Sequence, residues 1–385
     1  MSDRPEAMTR AVRAGLESDD LTGAVVPPIH LSSTYAFRGY GEKRAYDYSR
    51  SGNPTRDLLG AALADLEEGA GGVITGSGMG AITLVGHLLK AGDRLVAPHD
   101  CYGGTYRLFS AWQRRGELQV EFVDFGNDAA LAAALARPAA LVWIETPSNP
   151  LLRITDIAAV AMQAKRAGAL VVVDNTFLSP AWQLPLRHGA DIVVHSTTKY
   201  INGHSDVVGG AVIAKTRELQ EQLAWWANCL GLTGSPFDSF LTLRGLRTLH
   251  ARLAIHGANA QALAEWLQAQ PQVAHVYFPG LRAHPGHELA RRQQSGFGAI
   301  ITFELHGGIP AVKQFINGLE YFSLAESLGG VESLVAHPAS MTHAAMDEAS
   351  RRAAGLTDGL LRLSIGIESL ADLRGALAAG LSRIG

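Results

Sequence analysis

The sequence predicts an α/β protein, with a large domain on a mostly parallel seven-stranded sheet and a smaller C-terminal α/β domain. Three observations carry this reading. Seven short, nearly continuous apolar runs between residues 72 and 214 alternate with helix-patterned stretches, as in a sheet covered on both faces. The chain is 385 residues long, more than one hydrophobic core usually serves. After about residue 245 the texture changes to a long helical repeat followed by strand-like pieces among helices.

Residues 1–55 are rich in Pro, Gly, Ser and Tyr with little periodicity, and read as an extended arm. Residues 56–245 form the large domain. Its predicted strands are Gly72–Thr75, Arg94–Ala97, Val120–Val123, Ala140–Ile144, Ala169–Val173, the run from Ala190 into Val194, and Gly210–Ala214. Helices are expected over Asp128–Ala136 and Asp156–Ala167. Residues 246–385 form the second domain. Leu249, Leu253, Ala260, Leu263 and Leu267 keep a helical spacing that Pro271 stops. Strands are expected over Val273–Phe278, Ala299–Leu305 and Leu360–Ile365.

Composition excludes several classes. With 47% hydrophobic and 18% charged residues, a net charge of −3 and no polybasic stripe, nucleic acid and anionic membrane are poor partners. Cys101 and Cys229 are far apart in dissimilar contexts, and no Cys or His spacing suggests a metal, so no metal site is expected. The N-terminal segment MSDRPEAMTRAVRAG has no apolar core, and no run of apolar residues is long enough to span a bilayer. A cytoplasmic protein is expected.

Chemistry gathers where the predicted strands end. The segment from Ala190 closes in Ser196, Thr197, Thr198 and Lys199, and the run Ala169–Val173 leads into Asp174, Asn175 and Thr176. In such sheets ligands collect at the carboxyl ends of strands, so a lysine and an aspartate reach one edge. The pair suits pyridoxal 5′-phosphate (PLP), which needs an amine for a Schiff base and a carboxylate to keep its ring nitrogen protonated. Most lysines are solvated, and Asp after a strand often caps a helix. The apolar run before each residue argues for a site instead, with hydroxyls able to bind phosphate oxygens and a desolvated lysine of lowered pKa.

The loop Thr75–Ala81 follows a strand and opens a helix, so its N–H groups can bind an anion. Alone it is ambiguous. Gly76, Gly78 and Ala81 satisfy G-x-G-x-x-A with Asp100 about twenty residues on, the pattern of an NAD-type oxidoreductase. Asp174 beside Lys199 favours PLP. Tyr102, after another strand, either stacks on a planar ring or fills a turn. Tyr48 and Arg50 lie in the arm; Arg suits a phosphate, and a neighbouring subunit is the simple way to place it there, although a solvated arginine reads equally well. Arg362 alternates with the apolar residues of Leu361–Ile365. It is either an exposed edge-strand arginine or a bidentate clamp for a substrate carboxylate.

With these residues assembled, the chain resembles the Cys/Met-metabolism family of PLP enzymes. The resemblance runs nearly end to end through VVPPIHLSSTY, YDYSRSGNPTRD, TGSGMGAI, PHDCYGGTYR, ETPSNPLLRI, VVDNTFLSP, HSTTKYINGHSDVVGG, SLAESLGG and LLRLSIGIE. It implies a fold-type-I transferase that assembles as a homotetramer of active dimers. Lys199 would carry the Schiff base, Asp174 would face the pyridine nitrogen, and Tyr102 would stack on the ring. Gly78, Met79, Ser196 and Thr198 would hold the phosphate, with Thr176 among the cofactor contacts and Tyr48 and Arg50 supplied by the adjacent subunit. Arg362, Ser327 and Asn149 would bind the substrate carboxylate, and Glu326 and Arg107 the rest of the substrate. Trp225–Asn228 and Gly234–Asp238 are most similar to the bacterial cystathionine γ-synthase branch, with γ-lyases close behind. The implied activity is γ-replacement on an O-acylhomoserine, O-succinylhomoserine above all, by cysteine; the alternative is γ-elimination of cystathionine. Ser51 departs from the synthase pattern, in which some members carry a second arginine, and leaves the acyl donor open.

Overall fold

A computed structural model describes residues 4–341 and 355–384; the first three residues of the arm, and 342–354 and 385 of the C-terminal region, lie outside it. The large sheet has seven strands: β1 (Gly71–Thr75), β2 (Arg94–Pro98), β3 (Gln119–Val123), β4 (Leu141–Glu145), β5 (Leu170–Asp174), β6 (Ile192–His195) and β7 (Gly210–Ala214). Their order is β1-β7-β6-β5-β4-β2-β3. β7 runs antiparallel to both neighbours, and the other pairings are parallel. The continuous apolar runs follow from two covered faces. Val171, Val173 and Val193 pack with the helices Pro54–Glu67, Ile157–Arg166 and Leu249–Gln268. Val172, Ile192, Val194 and Trp143 pack with Gly78–Gly86, Gly103–Arg114 and Arg217–Leu230. Each such aliphatic side chain taken from water contributes about 1.5–3 kcal/mol.

Because β7 is the single reversed strand, β1, β2, β4, β5 and β6 all end at the same edge. The end of β5 brings Asp174 to that edge, and the loops after the other four bring Ser77, Tyr102, Asn149 and Lys199.

A second sheet orders β8 (Val273–Tyr277), β9 (Ile300–Leu305), β10 (Phe322–Leu324), β11 (Ser333–Ala336) and β12 (Leu360–Ser364) as β10-β11-β12-β9-β8. β10 and β11 are three and four residues long, too short for an alternation to register in the sequence. The expected long helix is Leu249–Gln268, and a second helix, Pro236–Leu246, ends just before it. The break is held by Arg252, whose guanidinium donates to the carbonyls of Gly245 (2.8 Å) and Tyr200 (2.8 Å), tying it to the residues after Lys199. Within the first fifty-five residues the helix Ala7–Arg13 buries Ala11 in the main core, and Arg10 pairs with Asp65 at 2.7 Å. Most of residues 18–50 is exposed.

Candidate active site

A cavity of about 630 Å³ opens at the carboxyl edge of the large sheet and is closed on one side by the second sheet. It gathers Gly78, Met79, Tyr102, Arg107, Asn149, Asp174, Thr176, Ser196, Thr198, Lys199, Glu326, Ser327 and Arg362. Tyr48 and Arg50 do not line it. Arg50 donates to the backbone oxygen (2.7 Å) and Oδ1 (2.8 Å) of Asn228, and Tyr48 is half exposed beneath the guanidinium.

Lys199 follows β6 in a turn, and its Nζ donates to Ser327 Oγ at 2.7 Å. Burial pulls the amine down to about 8; Arg362 pushes the same way and Glu326 against it. A substantial neutral fraction near neutrality makes it a nucleophile and a base. Ser327 holds a positive φ of 89°. Strain of this kind, of order 1–3 kcal/mol for a non-glycine residue, persists where the surroundings over-determine it. Here its hydroxyl takes Lys199 and its carbonyl takes Arg362 Nη2 at 2.7 Å.

Arg362 sits on β12 between β9 and β11, so the exposed edge-strand reading is overturned. It is 3% exposed. Nη1 donates to Asn149 Oδ1 at 3.0 Å, while Nε is buried without an acceptor. No carboxylate among the described residues lies within ion-pair distance, and burial pulls its pKa to about 10. A desolvated guanidinium facing a cavity suits an incoming anion.

Asp174 ends β5 and accepts from the Thr176 N–H at 3.0 Å. The next helix, Ser179–Trp182, is capped by Leu178, so Asp174 is not its N-cap. Burial pushes its carboxyl up against the opposing pull of Thr176. A carboxylate so enclosed calls for a cationic partner.

The opposite wall of the cavity is built from the start of helix Gly78–Gly86. Ser77 caps it, its hydroxyl accepting from the Gly80 N–H at 3.0 Å. A Cβ on Gly78 would come 2.8 Å from that of Ser196, so only glycine lets these backbone segments meet. Thr198 Oγ1 accepts from the Gly209 N–H at 3.0 Å, and Thr176 Oγ1 from the Ser196 N–H at 2.9 Å. Tyr102 precedes helix Gly103–Arg114. A Cβ on Gly104 would strike the Tyr102 ring at 2.5 Å and Met79 Sδ at 2.7 Å, so glycine there lets the phenol lie against the helix.

The dinucleotide reading fails. Asp100 is bound to Arg153 at 2.9 Å and does not line the cavity, and β7 breaks the parallel order of a dinucleotide-binding sheet.

Residues 8–382 match the family described as Cys/Met metabolism PLP-dependent enzyme. The chain belongs to this family. Its cofactor is pyridoxal 5′-phosphate, and the donor set fits that group: an enclosed acid for a ring N–H, a glycine-opened helix start for a phosphate, and a desolvated amine. Family members similar to this chain include the cystathionine γ-synthase of Escherichia coli K12, 58% identical over 373 residues and covering 97% of each chain. A cystathionine β-lyase of Coxiella burnetii is 47% identical over 375 residues, again with 97% of each chain covered. The cystathionine γ-synthase of Xanthomonas oryzae pv. oryzae, solved with aminoacrylate and cysteine and also with cystathionine, superposes with a TM-score of 0.98 at 65% identity over 99% of both chains. No described helix is long and apolar enough to cross a membrane.

Among the ionisable residues that line the cavity, Glu145 escaped the sequence reading. Glu145 ends β4 and is 6% exposed. The strand-end position that singled out Asp174 applies to it equally.

Proposed function

We propose that this chain catalyses γ-replacement, exchanging the acyloxy group of an O-acylhomoserine, O-succinylhomoserine first among them, for cysteine to form cystathionine. The observation that carries the reading is a desolvated lysine amine and an unpaired buried guanidinium facing one cavity, 2.7 Å on either side of Ser327. That spacing suits an α-amino acid held by its carboxylate with its Cα beside a base. The high identity to relatives named cystathionine γ-synthase supports the choice within the family.

Pyridoxal 5′-phosphate, when bound, would supply the electron sink for the pair released at Cα. Arg362, steadied by Asn149, grips the α-carboxylate and fixes which Cα bond faces the amine. Lys199, released to the neutral form, takes the proton from Cα and works next at the Cβ protons, with Ser327 as its tether. The Cγ–O bond then breaks and the carboxylate leaving group departs; the cysteine sulfur, its thiol proton lost to solvent, bonds to Cγ as the two protons taken from Cβ and Cα are given back to those carbons. Tyr102 covers the ring and Asp174 keeps its nitrogen protonated. Gly78, Met79, Ser196 and Thr198 hold the phosphate, with Thr176 beside them. Arg107 and Glu326 line the same cavity and would meet the γ-substituent.

Tyr48 and Arg50 complete the phosphate site of an adjacent subunit within a homotetramer of active dimers. Their exposed position and distance from this chain's own cavity support that arrangement. The two sheets divide into a large domain over 56–245 and a C-terminal domain from 246, with the arm before them. The chemistry is that of the cytoplasm.

Ser51 and the shared lysine chemistry keep γ-elimination as the second reading. Steady-state rates separate them. The synthase reading requires kcat/KM for O-succinylhomoserine with cysteine to exceed that for cystathionine alone; the reverse order would replace it with a lyase.

A further inference from the structure

β4 and β5 are parallel neighbours in which Glu145 stands level with Asp174. Trp143 and Val172, two residues earlier on each strand, pack in the same core, so the alternation turns both carboxyls to the same face. Adjacent strands lie about 4.8 Å apart, which brings the two acids side by side, and both line the cavity. No cation among the described residues pairs with either. Glu145 is buried and Asp174 half-buried at the cavity wall, and like charges in neighbouring cross-strand positions repel, which favours a proton on one of the two.

Their surroundings decide which. Asp174 accepts from the Thr176 N–H and draws on its hydroxyl, with His195 behind it on β6. Glu145 accepts one N–H, that of Tyr102, at 2.8 Å. It otherwise faces Asp174, Asp100 (held by Arg153) and Cys101, while Lys199 and Arg362 stand across the cavity. Burial pushes the Glu145 carboxyl well above the usual range, and Asp174 adds to the push.

We propose that Glu145 is a positioning residue: a neutral carboxylic acid that donates its proton to Asp174 from the next strand while its other oxygen holds the Tyr102 backbone. It thereby keeps Asp174 ionised and oriented toward the cofactor's ring nitrogen and couples it to the residue that covers the ring. This rests on the role given to Asp174 above.

The holoenzyme tests it without turnover. Glu145→Gln retains an acceptor for Tyr102 and an N–H for Asp174. Its cofactor dissociation constant and the pH profile of the bound cofactor's visible absorbance are expected to stay within about threefold and about half a pH unit of the parent. Glu145→Ala is expected to weaken cofactor binding by about tenfold or more and to shift that profile. Infrared spectra of the parent at neutral pH should contain a protonated carboxyl band that Glu145→Gln removes, a readout that survives if the alanine variant misfolds. Equal losses for Gln and Ala, a parent-like alanine variant, or no such band overturns the proposal. Asp174→Asn separates the two readings: if it too leaves cofactor binding unchanged, the Asp174 role fails, whereas a loss there with none in Glu145→Ala defeats this inference alone.

Discussion

Replacing Arg362 with leucine should divide binding from folding. The guanidinium is 3% exposed and has no carboxylate partner among the described residues, so the free protein carries the cost of an uncompensated buried charge. Leucine relieves that cost but leaves Asn149 Oδ1 and the Ser327 carbonyl without their donor, at about 1–3 kcal/mol each. The two effects oppose, and global stability should change by no more than about 2 kcal/mol. Catalysis has no such offset. Removing one partner of a desolvated guanidinium–carboxylate pair costs about 3–5 kcal/mol, or roughly two to four powers of ten in kcat/KM. Arg362 also helps depress Lys199, so its loss raises the lysine pKa, and rates should be compared at two pH values to remove that contribution. The assay pairs each enzyme with O-succinylhomoserine and with its analogue lacking the α-carboxylate. The parent should discriminate against the analogue by the factor lost in the variant, and the variant should hardly discriminate. A variant within threefold of the parent, or one that still prefers the carboxylate, would refute the clamp.

Lys199→Ala should abolish turnover and the visible absorbance of the lysine-bound cofactor. In the cofactor-free protein, amine-directed labelling of Lys199 should show a midpoint near pH 8 instead of 10.5. The unfolded chain holds that proton more tightly, so the lysine's contribution to apo stability should rise with pH between 8 and 10.5, seen as a rising denaturant midpoint relative to Lys199→Met. Asp174→Asn should slow Cα deprotonation severely, measured by exchange of the Cα hydrogen with solvent; an unchanged rate would remove the electron-sink role. Mixing inactive Arg50→Ala and Lys199→Ala subunits after mild dissociation should restore about a quarter of parent activity, because a hybrid dimer rebuilds one intact site. No recovery would place Arg50 on its own subunit's chemistry.

Much of the site was legible because strand ends carry it. Apolar runs announced β4, β5 and β6, and chain continuity put Asp174 and Lys199 directly after two of them. Glycine positions marked the loop proposed to hold the phosphate for the same local reason: a backbone approach of the kind seen at Gly78 excludes every side chain. Short strands and helix breaks were less visible. β10 is held by pairing with β11 and β11 by pairing with β12, and the break before Leu249 depends on Arg252 reaching carbonyls of a distant loop.

The sequence by itself determined the α/β class, the lysine and aspartate at one sheet edge, and a likeness to PLP enzymes that the family match bears out. The tertiary structure decided what depends on residues far apart in the chain. Arg362 is a buried cation because β12 is a central strand, Ser327 touches Lys199 from 128 residues away and Arg362 from 35, and Glu145 meets Asp174 because β4 and β5 are in register. Local propensity sets which residues form strands; desolvation and charge proximity, which fix what those residues can do, exist only after the strands pack.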